Sequence, residues 1–167
     1  MALCYNSPLS QISYGRFAME LHDSVECVLR HKGSKVHAIA PDATVYEALE
    51  KLAEHDIGAL VVMQGTELVG ILSERDYARK VFIVGRSSRE TLVREIMSSP
   101  AITVGPKATV DQCMYHMTTE RCRHLPVVDG QTVVGVVSIG DLVNWIISAQ
   151  DFTIHQLEGY ITGKYPG

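Results

Sequence analysis

Aromatic residues are scarce in this chain of 167 residues, with three Phe, seven Tyr and one Trp. Cations are not in excess either, since 15 Lys+Arg stand against 19 Asp+Glu for a formal net charge of −4. Together these shortages argue against a nucleic-acid partner, which needs a basic face and rings to stack on bases. No apolar run approaches the roughly 18 residues of a membrane span. The start, Met-Ala-Leu-Cys-Tyr-Asn-Ser-Pro, has neither the basic opening nor the apolar stretch of a secretory signal. Cysteine is sparse, four in all and unclustered, which reads as reduced thiols and not as a disulfide framework. A cytoplasmic protein without membrane attachment is the expectation. Gly-x-Ser-x-Gly, Walker A, His-Glu-x-x-His and the Rossmann glycine fingerprint are missing too, so no catalytic constellation is visible and no enzyme is expected. What the chain does have is a 46% hydrophobic share, too high for disorder and enough for a core.

The chain also has an internal duplication. Val36–Val81 realigns on Ala101–Ile146 without a gap, at an offset given by Pro106 minus Pro41 and again by Asp141 minus Asp76, which is 65 in both cases. Pro41, Ala43, Thr44 and Val45 fall on Pro106, Ala108, Thr109 and Val110. Leu60, Val62 and Gly65 fall on Leu125, Val127 and Gly130, while Gly70, Ser73 and Asp76 fall on Gly135, Ser138 and Asp141. Matching Pro, Gly, Thr, Ser and Asp in order goes well beyond shared apolarity.

Each copy reads β-α-β-β-α. Val36–Ile39 is a short strand, and Thr44-x-x-Glu47 is a capping box opening a helix whose apolar face holds Val45, Ala48, Leu49, Leu52 and Ala53. In the second copy Thr109-x-x-Gln112 caps, and Val110, Cys113, Met114 and Met117 form the face. Strands follow at Ala59–Met63 and Leu68–Leu72, and at His124–Val128 and Val133–Val137, with tight turns at Gly65 and Gly130. Their nearly unbroken apolarity predicts burial on both faces. A second helix begins at Ser73 or Ser138. One copy of 46 residues makes a marginal core, so the copies are expected to pack together about a pseudo-twofold axis. The fold class is α/β (α+β). The division runs 1–24, an N-terminal arm; 25–84, repeat 1; 85–100, a linker helix carrying Leu92, Val93 and Ile96; 101–148, repeat 2; and 149–167, a C-terminal helix and tail with Phe152, Ile154, Leu157 and Tyr160 on one face. Asp23–Arg30 resembles the linker in placement.

A tandem β-α-β-β-α repeat carrying Gly-h-h-Ser-x-x-Asp, here Gly70 to Asp76 and Gly135 to Asp141, resembles a pair of cystathionine β-synthase (CBS) domains, a Bateman module. The resemblance covers roughly residues 25–147, and the tail to Gly163 resembles small stand-alone bacterial members. It implies an adenosine-containing ligand (AMP, ADP, ATP, NAD or S-adenosylmethionine) in clefts between the repeats, a homodimer, and an effector protein that reads the bound state. By resemblance, Asp76 and Asp141 accept hydrogen bonds from a ribose diol, and Ser73, Ser138 and Ile139 lie at the ribose or phosphate. His37, Ala38 and Ile39 on one side and Ile102, Thr103 and Val104 on the other wall the adenine. Gly58 with Ala59 and Leu125 with Pro126 stand opposite, and Arg123 with His124 meets phosphate. Glu74, Arg75, Arg79 and Lys80 complete the first site.

General chemistry supports these roles. A carboxylate accepts both hydroxyls of a diol, a helix start favours an anion, and the guanidinium fork suits phosphate. Arg123-His124 occupies the positions of Gly58-Ala59 in the other copy, so unequal sites are expected. Three other readings compete. Ser-x-x-Asp is an ordinary capping box, and the module could serve structure or oligomerisation with vestigial pockets. A weak enzyme acting on a bound nucleotide is another. Cys113, His116, Cys122 and His124 offer four zinc ligands, but at a spacing outside the usual fingers and with Cys113 on an apolar face, so a core cysteine is the better reading.

Overall fold

The computed structural model describes residues 23–148. The arm before Asp23 and the helix proposed over Phe152–Tyr160 lie outside the described residues. Eleven named elements and a last helix run in chain order. They are α1 (Val25–Lys32), β1 (Ala38–Ile39), α2 (Val45–His55), β2 (Ala59–Gln64), β3 (Glu67–Ser73), α3 (Glu74–Tyr77), a π-helical stretch (Ala78–Phe82), α4 (Val93–Ile96), α5 (Val110–Thr119), β4 (His124–Asp129), β5 (Thr132–Ser138) and α6 (residues 139–148). The result is the α+β class expected from the sequence.

Both capping boxes form. Thr44 Oγ1 accepts the Glu47 N–H at 3.2 Å while the Glu47 carboxylate accepts the Thr44 N–H at 2.7 Å, and Thr109 with Gln112 repeats the pattern. α2 buries Val45, Ala48 and Leu52 and ends where Asp56 turns left-handed at φ 50°; Ala53, placed on the apolar face by its spacing, is exposed. The two hairpins superpose in register, with Val61 opposite Ile71 in one and Pro126 opposite Val136 in the other. Gly65 and Gly130 take φ 62° and 60° at the turns, the positive φ a tight hairpin demands.

Burial corrects the strand expectation in part. β2 and β4 are covered on both faces over most of their length, but β3 and β5 alternate, because only one face of each meets a core. The first strand of each copy is also shorter than its pattern implies. β1 holds only Ala38–Ile39, parallel to β2, and its counterpart near Val104 shrinks to a single bridge with Val127. Proline explains the second loss. In repeat 1 the Val61 N–H donates to the His37 carbonyl at 3.1 Å, whereas the equivalent donor in repeat 2 would be Pro126, which has no N–H.

Two cores result, and the chain crosses between them. Val93 and Ile96 of α4 fill the core of repeat 1, beside Leu60, Leu72 and Val45. The linker helix is therefore one turn, bolted into that core by Val93 N–H to Ala43 O and Val45 N–H to Thr91 O, both 2.9 Å. Reciprocally α1, which precedes repeat 1, packs Val25, Val28 and Leu29 into the core of repeat 2, and Val25 N–H donates to Ala108 O at 2.7 Å. Each core is thus completed by a helix from outside its own β-α-β-β unit: α4, which follows β3, for the first, and α1, which precedes β1, for the second. Among the described residues no helix is long and apolar enough to cross a membrane.

Candidate functional site

The two Ser-x-x-Asp motifs open onto separate cavities. Ser73 ends β3, and its hydroxyl donates to Asp76 Oδ2 at 2.6 Å while its backbone N–H donates to the same oxygen at 3.0 Å. Asp76 Oδ1 receives Lys80 Nζ at 2.8 Å and the Ser98 hydroxyl at 3.3 Å. This carboxylate faces a cavity of about 380 Å³ with Ile71 and Gly58 from repeat 1, and Pro100, Ile102 and Arg121 to His124 from the second half of the chain. Five cationic side chains (Arg75, Arg79, Lys80, Arg121 and Arg123) line it against three carboxylates, Glu74, Asp76 and Glu120. An acidic protein thus carries a locally cationic hollow between its repeats. Arg75 Nη1 donates to the Arg121 carbonyl at 3.0 Å and ties the two halves together at its rim.

Asp141 lies in a second, smaller cavity of about 220 Å³, with His37, Asp56, Ala59 and Ser138. Three donors converge on its Oδ2: the Ser138 N–H at 2.7 Å, the Ser138 hydroxyl at 2.8 Å and Lys32 Nζ at 2.7 Å. Burial alone would raise this carboxyl, but the Lys32 ammonium and the Ser138 donors outweigh it and hold Asp141 below the usual aspartate range. Lys32 comes from the last turn of α1, so the exchanged helix contributes a charged residue to this cavity.

Gly58 and His124 line both cavities. A Cβ added to Gly58 would sit 3.1 Å from His124 Nε2, closer than ordinary packing, so a glycine is what lets the imidazole lie against this backbone. Burial, with help from Lys32 and Arg123, lowers the His124 pKa despite the opposing pull of Asp141. At the far side of the second cavity His37 stacks on His55 with ring centroids 4.1 Å apart, and burial and that neighbour lower its pKa as well.

Placement of the residues singled out from sequence is uneven. Gly58, Ser73, Glu74, Arg75, Asp76, Ile102, Arg123 and His124 line the first cavity, and His37, Gly58, Ala59, His124, Ser138 and Asp141 the second. Ala38, Ile39, Thr103, Leu125, Pro126 and Ile139 line neither. Leu125 and Pro126 are interior residues of β4, Leu125 fully buried in the second core. The positions equivalent to Gly58-Ala59 are Arg123-His124, two residues earlier, where β4 begins. Ala38 and Ile39 face an outer groove beside α2, Thr103 opens onto a groove between the hairpin ends, and Ile139 is exposed at the start of α6. Lys32, Lys35, Ser98 and Pro100 were missed; the placement of Asp23–Arg30 as a second linker was the signal that could have brought Lys32 in. Of the rival zinc set, Cys113 is fully buried, its thiol pushed up to about 11 by burial, while His116 is exposed.

Comparison with known proteins points one way. The CBS-domain family model matches residues 29–82 and 93–148. A mitochondrial CBS domain-containing protein of Arabidopsis thaliana is 38% identical over 151 residues, covering 85% of this chain and 73% of the relative. A CBS domain-containing protein of Bacillus subtilis is 32% identical over 109 residues, 65% of this chain and 77% of its own length. The solved structure of a Burkholderia ambifaria protein with CBS domains, proposed to act in signal transduction, is 43% identical with a TM-score of 0.73, covering 77% of this chain and 96% of that one.

Proposed function

The chain belongs to the CBS-domain family, and on that premise we propose that it is a regulatory module that binds an adenine nucleotide (AMP, ADP, ATP or NAD) in the first cavity between its repeats. The observation that carries this reading is the joining, in one hollow, of a serine-braced carboxylate with five cationic side chains. Asp76 offers acceptors for a ribose diol once Lys80 and Ser98 yield, and Arg123 with Arg121 offers planar donors to phosphate. Ile102 and Ile71 give an apolar wall for a ring. At about 380 Å³ this cavity falls within the range of about 300–1,000 Å³ common for small-molecule sites, whereas the second, at about 220 Å³, falls below it. The second cavity keeps the same motif and is the weaker adenosine site.

Binding, not catalysis, is the chemistry supported. The two aspartates face separate cavities, so neither serves the other as partner acid or base. A ligand bridging the repeats would bias their relative orientation, and an effector protein would read that change. The cytoplasm is the expected compartment, with no membrane and no nucleic acid as partners. A second reading, an oligomerisation module, is favoured by exposed apolar side chains at the ends of the repeats: Ile139, Val143 and Ile147 along α6, and Phe82 and Ile83 where the π-helical stretch ends. The two readings combine in a homodimer that carries the nucleotide site.

The test is a thermal-shift panel of AMP, ADP, ATP, NAD and S-adenosylmethionine on the wild type, Asp76→Ala and Asp141→Ala. Ligand at about 100 times its Kd stabilises by about 2.7 kcal/mol, readily seen in the melting temperature. The Asp76→Ala chain should lose most of that shift. No shift with any nucleotide would remove the sensor reading and leave the oligomerisation module, which sedimentation velocity would then report as ligand-independent self-association.

A further inference from the structure

One side chain stands between the two cavities. His124 and Gly58 line both cavities, and a Cβ added to Gly58 would sit 3.1 Å from His124 Nε2, so the imidazole and this backbone form a shared wall. The wall separates unlike surroundings. Toward the first cavity the ring adjoins Arg123 and Arg121, with Glu74 across from it on α3 and Glu120 behind. Toward the second it faces Asp141 on α6 and Lys32 on α1, with Lys35, Asp56 and His37 beyond them. Asp141 favours an imidazolium, while Lys32 and Arg123 oppose it.

We propose that His124 couples the cavities, so that the charge on Asp141 in the second sets the affinity of the first for a phosphate-bearing ligand through the protonation of this ring. The proposal rests on the reading of the first cavity as the nucleotide site. A phosphate beside Arg123 adds negative charge on one face of the imidazole, and Asp141 supplies it on the other. Both favour the proton, so the bound nucleotide and the ionised Asp141 support one another. Neutralising Asp141 removes one of the two and leaves the Lys32 ammonium unpaired against the ring. Nucleotide binding then takes up a proton less readily and weakens. Linkage makes the effect reciprocal, so that occupancy of the first cavity changes whatever engages Asp141.

Isothermal titration of ATP into the full chain at pH 6 and pH 8 tests this with the wild type, D141N, H124Q and the double variant. At pH 6, D141N should weaken ATP at least about fivefold, the lower end of typical coupling between sites. In the H124Q background the same substitution should change it less than about twofold, and at pH 8 the gap between wild type and D141N should close as the imidazole loses its proton in both. An equal loss in both backgrounds, or one that persists at pH 8, overturns the coupling. A measurement needing no variant stands beside it: the His124 ring titration followed by NMR should move to higher pH when ATP is added, and an unmoved midpoint in a chain that binds ATP overturns the proposal. Absence of any ATP binding removes the nucleotide reading with it, whereas binding without these dependences removes the coupling alone.

Discussion

The two Ser-x-x-Asp sites begin from the same residues and end as different environments. In repeat 1 the cation on the aspartate is Lys80, four residues on in the π-helical stretch that continues α3, at 2.8 Å. In repeat 2 it is Lys32, 109 positions away on the exchanged helix α1, at 2.7 Å. The first arrangement is local and lined by arginine; the second is a tie between distant parts of the fold, in a cavity little more than half the size. A duplicated motif therefore supplies a scaffold, a capped helix start with a braced carboxylate, and the segments exchanged between the cores decide what that carboxylate does. On the proposed reading Asp76 is the carboxylate that meets the nucleotide, while Asp141 is tied to Lys32.

The sharpest way to break this contrast is through the exchanged helix. Leu29 is 5% exposed and fills the second core, so Leu29→Ala should cost about 2–5 kcal/mol in urea unfolding. A near-neutral result would mean that α1 is only draped over repeat 2. Next in size is a pair of equivalent glycines. A Cβ on Gly70 would come within 2.9 Å of the Ser98 carbonyl, and one on Gly135 within 2.6 Å of Leu29 Cδ1. Backbone yields less easily than a leucine rotamer, so Gly70→Ala should destabilise more than Gly135→Ala, both by about 1–3 kcal/mol. Equal melting temperatures for the two variants would contradict that ordering.

The smallest effects lie in the helix caps. Thr44→Ala and Thr109→Ala should each cost about 0.5–2 kcal/mol at neutral pH. Only the first should depend on pH. The Thr44 N–H and hydroxyl hold the Glu47 carboxyl below its ordinary range, so its contribution is present above that range and lost as pH falls through the lowered value. Gln112, which plays the same part for Thr109, has no proton to gain. Unfolding curves for both variants through the acid range check this, and parallel pH profiles would contradict it.

Much of this fold was legible in the chain, and the reasons are local. Capping boxes, hairpin glycines and apolar periodicity each depend on a few neighbouring residues, so Thr44, Thr109, Gly65 and Gly130 announced their elements directly. The failures share a different cause. Pro126 ended a parallel ladder from the partner strand, which no pattern around Val104 reveals. Lys32 reaches Asp141 only because α1 crosses to the other core, and periodicity does not say which core a helix joins. The side chains at helix starts (Ser73, Asp76, Ser138, Asp141) line the two cavities, because a capped helix start fixes their direction. Strand residues were less secure. Arg123 and His124 reach the cavity, whereas the next two residues, Leu125 and Pro126, are buried.

Titration of ATP at pH 8 into the wild type, Asp76→Asn and Asp141→Asn weighs the two carboxylates against each other most directly. Loss of a charged hydrogen-bond acceptor costs about 1.5–3 kcal/mol, so Asp76→Asn should weaken ATP at least about tenfold, while Asp141→Asn should stay within about twofold of the wild type. The reverse order, with Asp141→Asn losing ATP and Asp76→Asn retaining it, would contradict the assignment of the nucleotide to the first cavity.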